Sequence, residues 1–166
     1  IFSSAFSVDG VKFLQELGAS AIKIASAEGR DYELIRAAQD TGLPVIVSTG
    51  MGMPALVPIV SVLLHCVAQY PSQIEDANLR AMVDLRRFNG QYVGLSDHTP
   101  GYETAIAATA LGAVMIEKHF KLDDDCIDAA YSLNQEDFAK MCVAVRAIWK
   151  GMGDGVIRPT CEPRQR

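Results

Sequence analysis

The sequence predicts an α/β fold built of repeated βα units, the greater part of a TIM (β/α)8 barrel. Three observations carry that reading. Short apolar runs rich in valine and isoleucine, the pattern of strands buried on both faces, alternate with stretches of helical period. Polar and charged residues gather at the C-terminal end of nearly every run: Ser3-Ser4, Lys23 and Ser26, Ser48-Thr49, His65, Ser96-Asp97-His98, then Glu117 and His119. A barrel collects its site from its strand ends in this way, whereas a dinucleotide-binding sheet concentrates glycines after one strand; no Gly-x-Gly-x-x-Gly occurs here.

The elements follow in order. Strands are expected at 1–4, 21–25, 44–48, 60–64, 91–95 and 113–117. Helices fit between them at 8–17, with Val11, Leu14 and Leu17 on one face, and at 31–40, with Leu34, Ile35 and Ala38 inward. Two more fall at 78–87 and 102–111. The last helix has the clearest stripe, Phe138, Met141, Cys142, Val145, Ile148 and Trp149; Asn134 is its N-cap, with Asp137 at N3, and Gly151 and Gly153 stop it. Six strands are present where a closed barrel needs eight and about 250 residues. Residues 1–166 therefore read as one domain, an incomplete barrel with its first two strands missing. A start at Ile1, without methionine and already inside a strand, points to a missing beginning.

Composition narrows the function. A net charge of −5 with no basic run argues against nucleic acid or an anionic membrane as partner. The longest apolar stretch, 57–67, falls short of the roughly 18 residues of a membrane span. Cys66, Cys126, Cys142 and Cys161 show no Cys-x-x-Cys spacing, which leaves no zinc ribbon or redox motif; Cys66 and Cys142 read as core thiols. No signal peptide is visible, and the expected setting is a reducing, cytoplasmic one.

The chemistry sits in two strings, Gly-Leu-Ser-Asp-His-Thr at 94–99 and Ile-Glu-Lys-His-Phe at 116–120. Each follows an apolar run, so adjacent parallel strands would bring His98 and His119 side by side at one mouth. Two neutral imidazoles with an open coordination sphere suit a catalytic divalent metal. Either histidine alone reads equally well as structural, and His65 reads as a core residue. Lys23, inside Ala-Ile-Lys-Ile-Ala-Ser, needs a charged partner: an ion pair with a carboxylate, a Schiff base or a phosphate contact are the open readings. Ser4, Ser26, Ser48 and Ser96 each end a different strand and with Lys23 can ring an oxyanion, which favours phosphate. Glu28, Glu117 and Asp97 are candidate acids or bases, and Asp97 can also orient the His98 ring. Asp123, Asp124 and Asp125 read as a solvated loop; Asp128, further along it, can reach back over the mouth.

The strings Lys-Ile-Ala-Ser from Lys23, Val-Ser-Thr-Gly-Met from Val47, Leu-His-Cys from Leu64 with Tyr70-Pro71, and the two strings above occur in this order. The chain resembles the sialic acid synthase (N-acetylneuraminate synthase) family, which includes legionaminic and pseudaminic acid synthases, over essentially its whole length. The resemblance implies a TIM barrel that condenses phosphoenolpyruvate with an N-acylated hexose. It implies manganese or magnesium on His98 and His119, phosphoenolpyruvate against Ser4, Lys23, Ser26 and Ser96 with Ser48 near it, and the amino sugar against Tyr70 and Asp128. Lys23, Glu28 and Glu117 are the expected catalytic groups, and a homodimer is expected of the full-length protein.

The chain departs from the family's pattern in several places. The first two strands, with a catalytic glutamate and a second phosphate-binding lysine, are missing, as are the C-terminal antifreeze-like domain and its sugar-binding arginine. Ala68 stands where asparagine or serine is usual. The connection from Gly50 to Val60 is about a helix short, and the loop from His119 to Asp128 lacks the usual Pro-Gly-Pro. This stretch alone is therefore expected to lack full activity. A metal-dependent aldolase, a 3-deoxy-sugar acid phosphate synthase on the same fold, or a non-catalytic barrel remnant are the alternatives.

Overall fold

The structure, a computed structural model, describes residues 1–52, 60–89 and 92–157. Most of the short connection after Gly50 lies outside the described residues, as do Gln91 and Cys161. Six strands, β1 (Ser3–Ser4), β2 (Ile22–Ile24), β3 (Val45–Ser48), β4 (Val62–Cys66), β5 (Tyr92–Asp97) and β6 (Ile116–Lys118), form one sheet in sequential order. All neighbours are parallel. The helices are α1 (Val8–Glu16), α2 (Tyr32–Asp40), α3 (Arg80–Asn89), α4 (Glu103–Ala110) and α5 (Gln135–Met152). Side chains start three of them: Ser7 accepts from the Gly10 amide, Asp31 from the Leu34 amide and Asn134 from the Asp137 amide. The sheet is curled into an incomplete (β/α)8 barrel, the expected fold class.

Strand parity decides what each residue does. Along β2 to β5, Ile22, Ile24, Val45, Val47, Leu63, Val93 and Leu95 point outward into the layer of helices and are fully or nearly fully buried there. The alternate residues face the lumen, where Ala21, Ile46 and Leu64 pack with Val62 and Met115 to fill its lower part. The same parity carried upward turns Ser4, Lys23, Ser48, Cys66, Ser96 and Glu117 toward the mouth.

The sheet's curvature has a direct witness. β2 and β6 are four strand spacings apart in the sheet order, about 19 Å if it were flat at about 4.8 Å per strand. Lys23 Nζ nevertheless lies 3.4 Å from Glu117 Oε1. Only a sheet bent well round toward closure allows that.

Several boundaries differ from those read in the sequence. β4 and β5 run on through His65-Cys66 and Ser96-Asp97, because backbone pairing continues where the apolar run stops. α3 starts two residues later than expected, since Asn78 holds a positive φ of 40° that a helix does not accept. Leu17 is exposed at the C-cap of α1 rather than on its buried face. On α5 the stripe is packed in its first half, where Met141 is buried and Phe138, Cys142 and Val145 lie against Ala105 and Leu133. Trp149 is exposed beside an apolar groove shared with Val114 and Met115. No helix among the described residues is long and apolar enough to cross a membrane.

Gly94 is where a side chain would break the curl: a Cβ there would stand 2.3 Å from the Met115 carbonyl oxygen and 2.7 Å from Leu64. Gly94→Ala is expected to lower stability by about 1–3 kcal/mol through overpacking. Gly151 lies inside α5, and a Cβ at that position would meet nothing within 4 Å. Gly151→Ala should therefore raise stability by about 0.5–1 kcal/mol. Urea unfolding of the two variants checks both signs.

Candidate active site

The mouth of the half-barrel collects groups from every strand. Lys23 is 5% exposed and its ion pair with Glu117, whose side chain is 40% exposed, closes the lumen side to side. Ser4 lies in register with Lys23 at the end of β1. Ser26, in the loop after β2, accepts a hydrogen bond from the Met51 amide at 2.6 Å, which leaves its own O–H free to donate. Ser48 is 2% exposed and its Oγ has no hydrogen-bond partner among the described residues. Glu28 presents a buried Oε2 in the same condition. A native interior rarely leaves such atoms unpaired, so each marks a place where a bound group or water belongs.

His98 and His119 follow β5 and β6 directly, with ring centroids 5.3 Å apart. His98 Nδ1 lies 2.9 Å from the Val67 carbonyl oxygen, and His119 Nδ1 lies 2.7 Å from Asp128 Oδ2. These contacts put the proton on Nδ1 of each ring and leave both Nε2 lone pairs, which have no partner among the described residues, able to accept a hydrogen bond or ligate a cation. Burial, with the neighbouring His119, pushes the His98 pKa below its ordinary value and favours the neutral ring. The Asp128 carboxyl is held below the usual carboxylate range by its hydrogen bonds from His119 and Cys126. Two imidazoles, each steadied through the far nitrogen, can together offer two nitrogen ligands to a divalent cation. No cluster of three or more His, Cys, Asp or Glu suited to a metal occurs among the described residues.

Tyr70 and Tyr131 frame the two histidines. The Tyr70 ring is 4.1 Å from that of His98, and the Tyr131 ring 4.8 Å from that of His119. Sequence reasoning misses Tyr131. Its one signal is its place three residues after Asp128, on the short turn Ala129–Tyr131 that brings both to the same side.

Two readings of individual residues need correction. Asp97 does not orient His98: adjacent residues in a strand point to opposite faces, so Asp97 faces the helices. There its Oδ2 is 3.0 Å from Lys118 Nζ, in a pair whose side chains are 2% and 0% exposed. Cys66 is buried, but it is not an ordinary core thiol. It hydrogen-bonds the Ser96 side chain, lies 3.8 Å from His98 Nδ1, and its pKa is raised, first by burial. His65, one position off in parity, faces outward and puts Nε2 2.8 Å from the Ala77 carbonyl oxygen, the structural role expected of it.

A parallel half-barrel with its polar groups gathered at the C-terminal mouth defines a (β/α)-barrel of the kind that works at its strand ends. Residues 1–157 match the model of the NeuB family, and the chain belongs to that family. It is 41% identical to the pseudaminic acid synthase of Helicobacter pylori, over 93% of this chain and 49% of that protein. It is 35% identical to the N,N'-diacetyllegionaminic acid synthase of Campylobacter jejuni, over 93% of this chain and 51% of that one. The crystal structure of the N-acetylneuraminic acid (sialic acid) synthetase of Leptospira borgpetersenii, in complex with citrate, superposes with a TM-score of 0.86 at 33% identity, covering 95% of this chain and 60% of that one. The chain thus spans about half the length of the curated relatives it matches.

Asp97→Ala is expected to destabilise the fold by about 3–5 kcal/mol, because it strands the Lys118 charge in the interior. Ser48→Ala should be neutral or stabilising by up to about 1 kcal/mol, since its hydroxyl has no partner among the described residues to lose. Denaturant titration without added ligand separates the two; a marked loss for Ser48→Ala would mean that its hydroxyl is bonded after all.

Proposed function

We propose that the protein containing this chain condenses phosphoenolpyruvate with an N-acylated hexose, giving a nonulosonic (sialic-type) acid and phosphate. The observation that carries this reading is the juxtaposition at one mouth of a lysine and four serines with two imidazoles whose Nε2 atoms have no partner among the described residues. The five are Lys23, Ser4, Ser26, Ser96 and Ser48, whose Oγ has no partner among the described residues. The family's named synthases support it.

Lys23 and the serine hydroxyls hold the phosphate and carboxylate of phosphoenolpyruvate by charge-assisted hydrogen bonds. Tyr70 and Asp128 face the sugar from the rim. His98 and His119 would hold a divalent ion, manganese or magnesium, which would supply Lewis-acid polarisation of the sugar aldehyde. The enol carbon of phosphoenolpyruvate forms the new C–C bond to the aldehyde carbon. Water adds to the resulting oxocarbenium carbon, Glu28 or Glu117 takes one of its protons and returns it to the alkoxide left on the former aldehyde oxygen, and phosphate departs with its bridging oxygen and the second proton as the C–O bond breaks and the ketone forms. Lys23, paired with Glu117 at 3.4 Å, places that carboxylate beside the reacting end. The full protein is proposed to act as a homodimer in the cytoplasm.

The test is an assay of the whole protein with manganese, an N-acyl hexose and phosphoenolpyruvate labelled with 18O at the bridging oxygen. Labelled phosphate should appear in step with the nonulosonic acid, and His98→Ala should lower turnover on the order of 100-fold or more. Consumption of pyruvate instead, with no phosphate released, would favour an aldolase and sink this reading.

A further inference from the structure

The most deeply buried charges of the described residues face away from the lumen, directly behind the two histidines. Asp97 ends β5 and Lys118 ends β6, and the two are register partners. All the accepting capacity of Asp97 is used. Oδ1 takes the Thr99 amide at 3.0 Å and the Thr99 hydroxyl at 2.8 Å. Oδ2 takes the Thr104 hydroxyl from α4 at 2.8 Å and Lys118 Nζ at 3.0 Å. Lys118 also donates to the Thr99 carbonyl. One ion pair thereby joins two strand ends, the turn after His98 and the start of α4.

A buried ion pair is weak evidence of stability, since apolar residues of like volume serve as well. Its distinctive contribution is fixed geometry, and here geometry is what is needed. The β5–β6 ladder ends at Asp97 and Lys118, one residue before each histidine. Beyond that point backbone pairing no longer holds the two chains in register. His98 is bracketed by Asp97 and Thr99, both members of the network, and its carbonyl accepts from the Ser72 amide; His119 follows Lys118, and its carbonyl accepts from the Leu133 amide. The network therefore continues the ladder where the ladder stops.

We propose that the Asp97–Lys118 pair, with Thr99 and Thr104, is the positioning device that sets the separation of the His98 and His119 rings, and with it the affinity of the site for a divalent cation. This rests on the metal reading of the two histidines. The test is manganese binding to the whole protein, followed by electron paramagnetic resonance. Asp97→Asn with Lys118→Met removes both charges at nearly constant volume and leaves neither stranded. That double variant should fold with a parental circular dichroism spectrum, bind manganese about 10–100-fold more weakly, and show an altered hyperfine pattern for the bound ion. A merely structural pair would shift the melting midpoint and leave affinity and line shape alone, and that result would overturn the proposal. Should the double variant fail to fold, Thr104→Val decides: it removes the hydroxyl's contacts with Asp97 and Thr99 without unpairing a charge, so severalfold weaker binding supports the proposal and parental binding overturns it. His98→Ala separates the two layers of the argument. If it abolishes binding while the double variant binds as the parent does, the positioning proposal alone falls. If the parent binds no manganese, or binds it equally after His98→Ala, the metal reading falls and this proposal with it.

Discussion

A lysine in the middle of an apolar strand has to meet an opposite charge, and Lys23 meets one on the far side of the sheet. The Lys23–Glu117 pair is the constraint on which the mouth depends. It joins β2 to β6 across the lumen, at the level of the serine-bearing strand ends, and sets Glu117 beside the histidine that follows it by two. Its value lies in placement rather than in stability. Glu117 is partly solvated, and an ion pair in that setting contributes little net free energy. The curl that the pair reports is produced by the packing of Ile22, Val47, Leu63 and Val93 under the helices; the pair fills the space that the curl creates.

Period-two alternation then divides the labour within single tripeptides. In Ser96-Asp97-His98 and in Glu117-Lys118-His119 the outer members face the lumen, while the central members face the helices and carry a buried ion pair. The two layers share a backbone, so neither can move without the other. Buried charge behind the site and free nitrogen atoms within it are two consequences of one register.

Much of this is legible in the sequence because the signals are periodic. The alternation of apolar runs with helical stripes exposes the parallel βα architecture, and polar residues at successive strand ends show where the mouth lies. What escapes is whatever depends on partners far along the chain. Asp97 reads as a partner of His98 because it is adjacent in sequence, although strand parity alone excludes that contact. Cys66 looks apolar from its neighbours in the chain; its neighbours in space are Ser96 and His98. Tyr131 carries no periodic signal at all, since it sits on an isolated turn in a loop. Strand ends read too early for a related reason: hydrophobicity fades before hydrogen bonding does.

The half-packed stripe of α5 follows from the same geometry. A helix in a barrel covers the seam between two strands, and α5 covers β6 and leans on α4. Beyond β6 no further strand pairs with the sheet among the described residues, so Trp149 and Val114 line an open apolar groove while Met141, one seam inward, is buried. The site lies at the opposite side of that edge strand. His119 is held through its ring by Asp128 and through its backbone by Leu133. Two separate anchors, one on the ring and one on the main chain, fix an edge residue that no further strand among the described residues supports.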